Sequence, residues 1–89
     1  MDGQAGERVV LYVRAGCHLC ETAREVVTAA AVAGGAQVRE VDIDTAPGSA
    51  ELVERYGELV PVVTVDGVQQ GYWRIDGDRI RRALAGGRG

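Results

Sequence analysis

The sequence predicts one α/β domain: a four-stranded mixed sheet with helices on both faces, in the order β-α-β-α-β-β-α. Three observations carry this. Apolar β-branched runs alternate with segments of helical periodicity. Glycines fall at the joints, as in Gly34-Gly35, Gly57 and Asp66-Gly67. The chain has 89 residues, room for a single domain over 1–89, with its core at about 8–84, and not for two.

Val9-Val10-Leu11-Tyr12-Val13 is an unbroken apolar run, the pattern of a strand covered on both faces. From Cys17 to about Ala33 there is no Gly or Pro, and Ala23, Val26, Val27, Ala30 and Ala31 recur at helical spacing, so this stretch is an amphipathic helix. Gly34-Gly35 ends it. Val38 to Ile43 is a second strand, placed near an edge because it carries Arg39, Glu40 and Asp42. Thr45 to Ser49 opens a second helix, with Leu52, Val53 and Tyr56 inward and Gly57 as its stop. Val60 to Val65 is a strand headed by Pro61. Asp66-Gly67 is a two-residue hairpin signal that returns the chain antiparallel through Val68 to Gly71. Asp76 is placed to cap a last helix with Ile80 and Leu84 on one face. A right-handed βαβ crossover followed by a hairpin gives the mixed sheet. This order is that of the minimal thioredoxin fold. The ends, Met1–Gly6 and Gly86–Gly89, are expected to fray.

Composition narrows the function classes. The chain is 46% hydrophobic and 26% charged, ordinary for a globular protein, which excludes a disordered tail, a fibre or a disulfide-dense scaffold. Three Tyr, one Trp and no Phe leave the core to aliphatics, chiefly Val and Ala. The net charge of −3 offers no footprint for nucleic acid. All ten basic residues are Arg, with no Lys and no Asn, which reads as the codon bias of a GC-rich genome. The apolar run after the N-terminus is too short for a signal peptide or a membrane span. The expected location is therefore cytoplasmic, where thiols are kept reduced.

The only cysteines stand in Cys17-His18-Leu19-Cys20, directly after the first strand. A C-x-x-C in that setting reads as a redox motif. With Cys17 at the first position of the helix, Cys20 lies one turn on, on the same face, and the two sulfurs can meet. Cys17 faces unpaired N–H groups and the positive end of the helix dipole, so its pKa should fall below about 8.5. Cys20 should remain a buried thiol. Cys17 is thus the nucleophile and Cys20 the resolving thiol. His18 either adds positive charge beside Cys17 or is an exposed imidazole without a role.

Rival readings of the pair fare worse. A structural disulfide is unusual in the cytosol and would close too short a loop to stabilise much. A zinc site normally needs four ligands; Cys17, Cys20 and His18 do not supply them, so no metal is expected. Pro61, on its own, reads as a strand-start residue, because cis X–Pro bonds are a small minority. Tyr72 and Trp73, adjacent on a strand, should point to opposite faces. They either fill an aromatic-poor core or wall a substrate site.

Arg14-Ala15-Gly16-Cys17-His18-Leu19-Cys20 after a strand, with Val60-Pro61-Val62-Val63 before a hairpin, resembles the glutaredoxin-like branch of the thioredoxin superfamily. It is most similar to short bacterial members with a Cys-x-Leu-Cys centre, and the resemblance covers about Arg8 to Leu84. It implies that Val60–Pro61 is cis and that the Val60 backbone pairs with the cysteine part of a bound thiol. It also implies that Arg14 binds a glutathione carboxylate; read on its own, Arg14 is a solvated strand-end residue. The later segment, Gly71-Tyr72-Trp73-Arg74-Ile75-Asp76, keeps Gly71 and Asp76 of the family's Gly-Gly-x-Asp but replaces the second glycine with bulk. Gly71 and Tyr72 thus join the expected substrate-binding set.

The expected activity is that of a monomeric thiol–disulfide oxidoreductase without metal or organic cofactor. Its partners would be disulfide-bearing proteins or mixed disulfides of small thiols, with glutathione, another low-molecular-weight thiol or a partner dithiol as reductant. Two rivals come from other classes. One is an iron–sulfur carrier, two copies holding a [2Fe–2S] cluster with Cys17 from each and two external thiols; Cys20 argues against it. The other is a thiol-sensing module without turnover.

Overall fold

The computed structural model describes residues 8–86. Its elements are β1 (Val9–Val13), α1 (His18–Ala33), β2 (Val38–Asp42), α2 (Ser49–Tyr56), β3 (Val62–Val65), β4 (Val68–Tyr72) and α3 (Gly77–Gly86). The sheet runs β2-β1-β3-β4. β1 pairs parallel with β2, Val9 opposite Val38, and antiparallel with β3, Tyr12 opposite Val62. β3 and β4 are antiparallel, and the register slips between Val63 and Thr64, leaving Gln70 as an extra residue on β4. The charged strand β2 is an edge, as expected.

Strand alternation divides the core into two layers. Val9, Leu11 and Val13 point one way, with Val63 and Val65, and are covered by Cys20, Ala23, Val27, Ala30 and Ala31 of α1 and by Ile80 and Leu84 of α3. The other layer holds Ile43, Tyr56 and Val62, with Tyr12, Leu52 and Val53 half-buried against them. Covering both faces of β1 is therefore uneven: Val10 and Tyr12 stay half-buried. Each fully buried aliphatic contributes on the order of 1.5–3 kcal/mol of transfer free energy.

The joints behave as their residues require. Gly34 ends α1, its N–H donating to the carbonyls of Ala30 and Ala31, both at 3.1 Å. A Cβ at Gly34 would lie 2.7 Å from Leu84 Cδ1, so glycine lets α3 close onto α1. In the hairpin Asp66 and Gly67 both have positive φ, 52° and 83°, as a type I′ turn needs. Arg8 holds the turn through Nε and Nη2 to the Asp66 carboxylate at 2.9 and 2.8 Å. The Asp76 carboxylate accepts the Asp78 N–H at 2.9 Å, capping α3.

Several boundaries differ from expectation. α2 begins only at Ser49, because Gly48 at φ 79° turns the chain immediately before it. β3 begins at Val62, after Val60-Pro61. Gly86 is the last residue of α3; the other terminal residues expected to fray, Met1–Gly6 and Gly87–Gly89, lie outside the described residues. Tyr72 and Trp73 do not fill the core: they are 45% and 51% exposed. β4 ends at Tyr72, and Trp73 takes a left-handed φ of 60°, so strand alternation stops between them.

Candidate functional site

β1 delivers the chain to a tight turn, Arg14-Ala15-Gly16, where Gly16 adopts φ 78°. A side chain is rarely accommodated in that conformation. Cys17 follows as the N-cap of α1, with extended φ −92° and ψ 108°. It thus stands one position outside the helix rather than at its first residue. The Cys20 N–H donates to the Cys17 carbonyl at 3.2 Å, which brings the second cysteine under the first. Their Cα atoms are 5.3 Å apart and the sulfurs are joined as a disulfide.

The two thiols sit in unlike surroundings. Cys20 is 2% exposed, among the α1, β1 and α3 side chains of the larger layer. Cys17 is half-buried and packs on the outside of the same layer, as do Val60 and Ile75. The Cys17 side chain makes no capping hydrogen bond in the disulfide form, but the N-cap position sets it at the positive helix end, which favours a thiolate, while a thiolate at Cys20 would be desolvated.

Val60 and Pro61 come to this same end of the sheet, since Val62 pairs with both Tyr12 and Tyr72. The Val60–Pro61 bond is cis, as the resemblance implies and residue statistics alone do not. The Val60 N–H donates to the Tyr56 carbonyl at 3.1 Å. The Pro61 carbonyl accepts the Trp73 N–H at 2.9 Å, and the Trp73 indole N–H donates to the Glu58 carbonyl at 3.0 Å. Trp73 therefore lies over the connection that carries the proline, its ring edge-on to Tyr72 with centroids 5.1 Å apart.

The remaining sequence candidates fall as follows. His18 is the exposed first residue of α1 and Leu19, also exposed, follows it. Arg14 is engaged within the protein: Nε and Nη2 donate to Asp44 at 3.1 and 2.7 Å, and Nη1 to the Gly57 carbonyl at 3.0 Å. Gly71 pairs with Val63, and a Cβ there would meet only Ile75 Cδ1, at an ordinary 3.7 Å. Asp44 and Gly57 were not expected at this end, and Trp73 was expected there only as a substrate wall or core filler. Thirty positions separate Arg14 from Asp44, so no local pattern announces the pair. The signal for Trp73 was the bulk following Gly71 where the family pattern has glycine.

Among the described residues no group of three His, Cys, Asp or Glu is placed to hold a metal ion, and no helix is long and apolar enough to cross a membrane. A groove of about 620 Å³ lined by Val65, Val68, Arg79 and Ala83 lies at the hairpin end of the sheet, away from the cysteines.

Known proteins share this architecture. The sequence model of the Glutaredoxin-like domain (DUF836) matches residues 8–85. An uncharacterized protein of Mycobacterium tuberculosis is 32% identical over 80 residues, covering 88% of this chain and 82% of the relative. A crystal structure of a protein from X. campestris superposes with a TM-score of 0.66 at 32% identity, over 86% of this chain and 95% of that one. The holo form of glutaredoxin C1 from Populus tremula x tremuloides superposes at 0.56 and 20% identity, over 89% and 75%. That last likeness shows the thioredoxin-like fold and no more.

Proposed function

Because the chain belongs to the glutaredoxin-like domain family, whose fold here carries a cysteine pair at disulfide separation and so supports thiol redox function, we propose that it is a thiol–disulfide oxidoreductase. The Cys17 thiolate attacks one sulfur of a substrate disulfide. The old S–S bond breaks, one substrate half leaves as a thiolate and takes up a proton, and the other half stays attached to Cys17. Cys20, deprotonated, then attacks Cys17 Sγ and expels the second half. The substrate has gained two electrons and the protein holds the Cys17–Cys20 disulfide. A partner dithiol or a small thiol such as glutathione restores the dithiol by the same exchange in reverse, without metal or organic cofactor.

The observation that carries this is the asymmetry of the pair. An open sulfur crowns the helix and a buried one waits a turn below, at a Cα separation of 5.3 Å. We assign Val60, Pro61 and Tyr72, which lie toward the same end of the sheet as Cys17, to the substrate side of the site; an extended strand of a protein substrate suits such an edge, with small-thiol mixed disulfides as alternative substrates. On this reading the protein acts as a monomer in a reducing compartment such as the cytosol.

The test is trapping. Cys20→Ser should leave a mixed disulfide at Cys17, identified by mass spectrometry after expression in the host, while Cys17→Ser should trap nothing. Alkylation of the reduced protein should follow a Cys17 pKa below about 8.5. Equal trapping by both variants, or two thiols titrating like free cysteine, refutes the assignment.

A further inference from the structure

We propose that Arg14 is a positioning residue, whose guanidinium clamps the loop leading into Cys17 to the loop leading into Val60–Pro61. The inference rests on the thiol–disulfide reading and assigns to Arg14 a role other than gripping a substrate carboxylate.

Arg14 begins the turn that ends at Cys17, and three of its nitrogens are spent inside the protein. Two form a fork on the Asp44 carboxylate, at 3.1 and 2.7 Å, and the third reaches the Gly57 carbonyl at 3.0 Å. A planar fork of this kind fixes direction as well as distance. Both anchors are themselves held. The Asp44 N–H donates to Asp42 Oδ1 at 2.9 Å, and the Ser49 hydroxyl donates to the Asp44 carbonyl at 3.1 Å. The Gly57 N–H donates to the Val53 carbonyl at 2.8 Å, and the N–H groups of Leu59 and Val60 both donate to Tyr56. Displacement of Gly57 is therefore passed on, over three residues, to Val60.

The glycine is part of the device. A Cβ at Gly57 would lie 2.5 Å from the Val53 carbonyl oxygen and 3.2 Å from Arg14 Nη1, so a side chain there would clash with the Val53 backbone and crowd the guanidinium. One residue thus joins the ends of β1, β2 and α2. The two loops it joins are those that present Cys17 and Val60 at one end of the sheet. A carboxylate arriving from a substrate could take the Nε–Nη2 fork only by displacing Asp44, and would otherwise find one remaining N–H on each terminal nitrogen.

The experiment measures exchange by the full-length protein with three disulfides: a peptide disulfide with blocked termini, the same peptide with a free C-terminal carboxylate, and bis(2-hydroxyethyl) disulfide. Arg14→Leu should lower kcat/KM for both peptides alike by about tenfold, as misplacement of a reacting group does. The loss for bis(2-hydroxyethyl) disulfide, which has no backbone to lay beside Val60, should be smaller. Iodoacetamide alkylation of Cys17 should change by less than about twofold, since it needs no second loop. Asp44→Asn should act in the same direction but more weakly, Arg14→Lys should restore part of the loss, and Arg14→Leu/Asp44→Asn should be no worse than Arg14→Leu alone.

The proposal is overturned if Arg14→Leu affects only the carboxylate-bearing peptide, or if Asp44→Asn speeds that peptide by freeing the guanidinium. It is overturned equally if alkylation and exchange fall together, which would mean a general loosening. Failure of the redox reading would look different: wild-type protein would exchange with none of the three disulfides.

Discussion

The two faces of the sheet are built differently. One is covered by α1 and α3 over a cluster of thirteen buried residues, and the other by α2 alone over Ile43, Tyr56 and Val62. Cys20 is rooted in the first, where close packing holds it still. The second has too little apolar surface to fix its loops by burial. Hydrogen bonds take over there: Arg14 to Asp44 and Gly57, Ser49 to Asp44, Trp73 to Glu58. The site stands at the seam, with its resolving thiol set by packing and the loops around its nucleophile set by polar contacts.

Matched truncations put that contrast at risk. Leu11 and Ile43 are both fully buried, yet Leu11→Ala should cost about 4 kcal/mol of unfolding free energy and Ile43→Ala about 2, because the thin layer can collapse or admit water around the gap. Denaturant unfolding of the oxidised proteins measures both, and equal losses would erase the distinction. A third substitution sharpens it. Asp66→Asn keeps a residue that tolerates positive φ but removes the charge facing Arg8, so the loss should be smaller than for either truncation and should shrink in high salt.

The smallest effect concerns Glu40, which ties β2 to Arg24 of α1 at 2.7 Å. The guanidinium hydrogen bond holds the Glu40 carboxyl below its ordinary value. A depressed folded pKa means the stabilisation is present at neutral pH and is lost as the pH falls through the acidic carboxylate range. The side chains are 46% and 39% exposed, so solvent screens the pair and the amount is about 0.3 kcal/mol. Unfolding followed between neutral and acid pH should show that slope in the wild type and a flatter one in Glu40→Gln.

Much of this was legible from residue order. The unbroken run at Val9–Val13, the paired glycines after Ala33 and the Asp66-Gly67 turn each specify a local conformation, and each element appears where they put it. The cysteine spacing was legible for the same reason: one helical turn is a local fact. Long-range polar contacts were not. Nothing near Arg14 in sequence reveals Asp44 or the Gly57 carbonyl. The cis bond at Val60–Pro61 came only through resemblance, because the trans form is the ordinary outcome for an isolated X–Pro pair. Tyr72 and Trp73 misled through alternation. That rule holds inside a strand, and the left-handed backbone at Trp73 lies just past its end.

The extra residue on β4 also shapes the outer rim of the sheet. Val68 is 61% exposed on a border strand, which would otherwise be a template for stacking one molecule on the next. Gln70 interrupts that border, and Arg79 Nε donates to its side-chain oxygen at 3.2 Å. The kinked rim breaks the regular row of amides that an uninterrupted outer strand would offer a neighbour, one of the ways sheets blunt their edges.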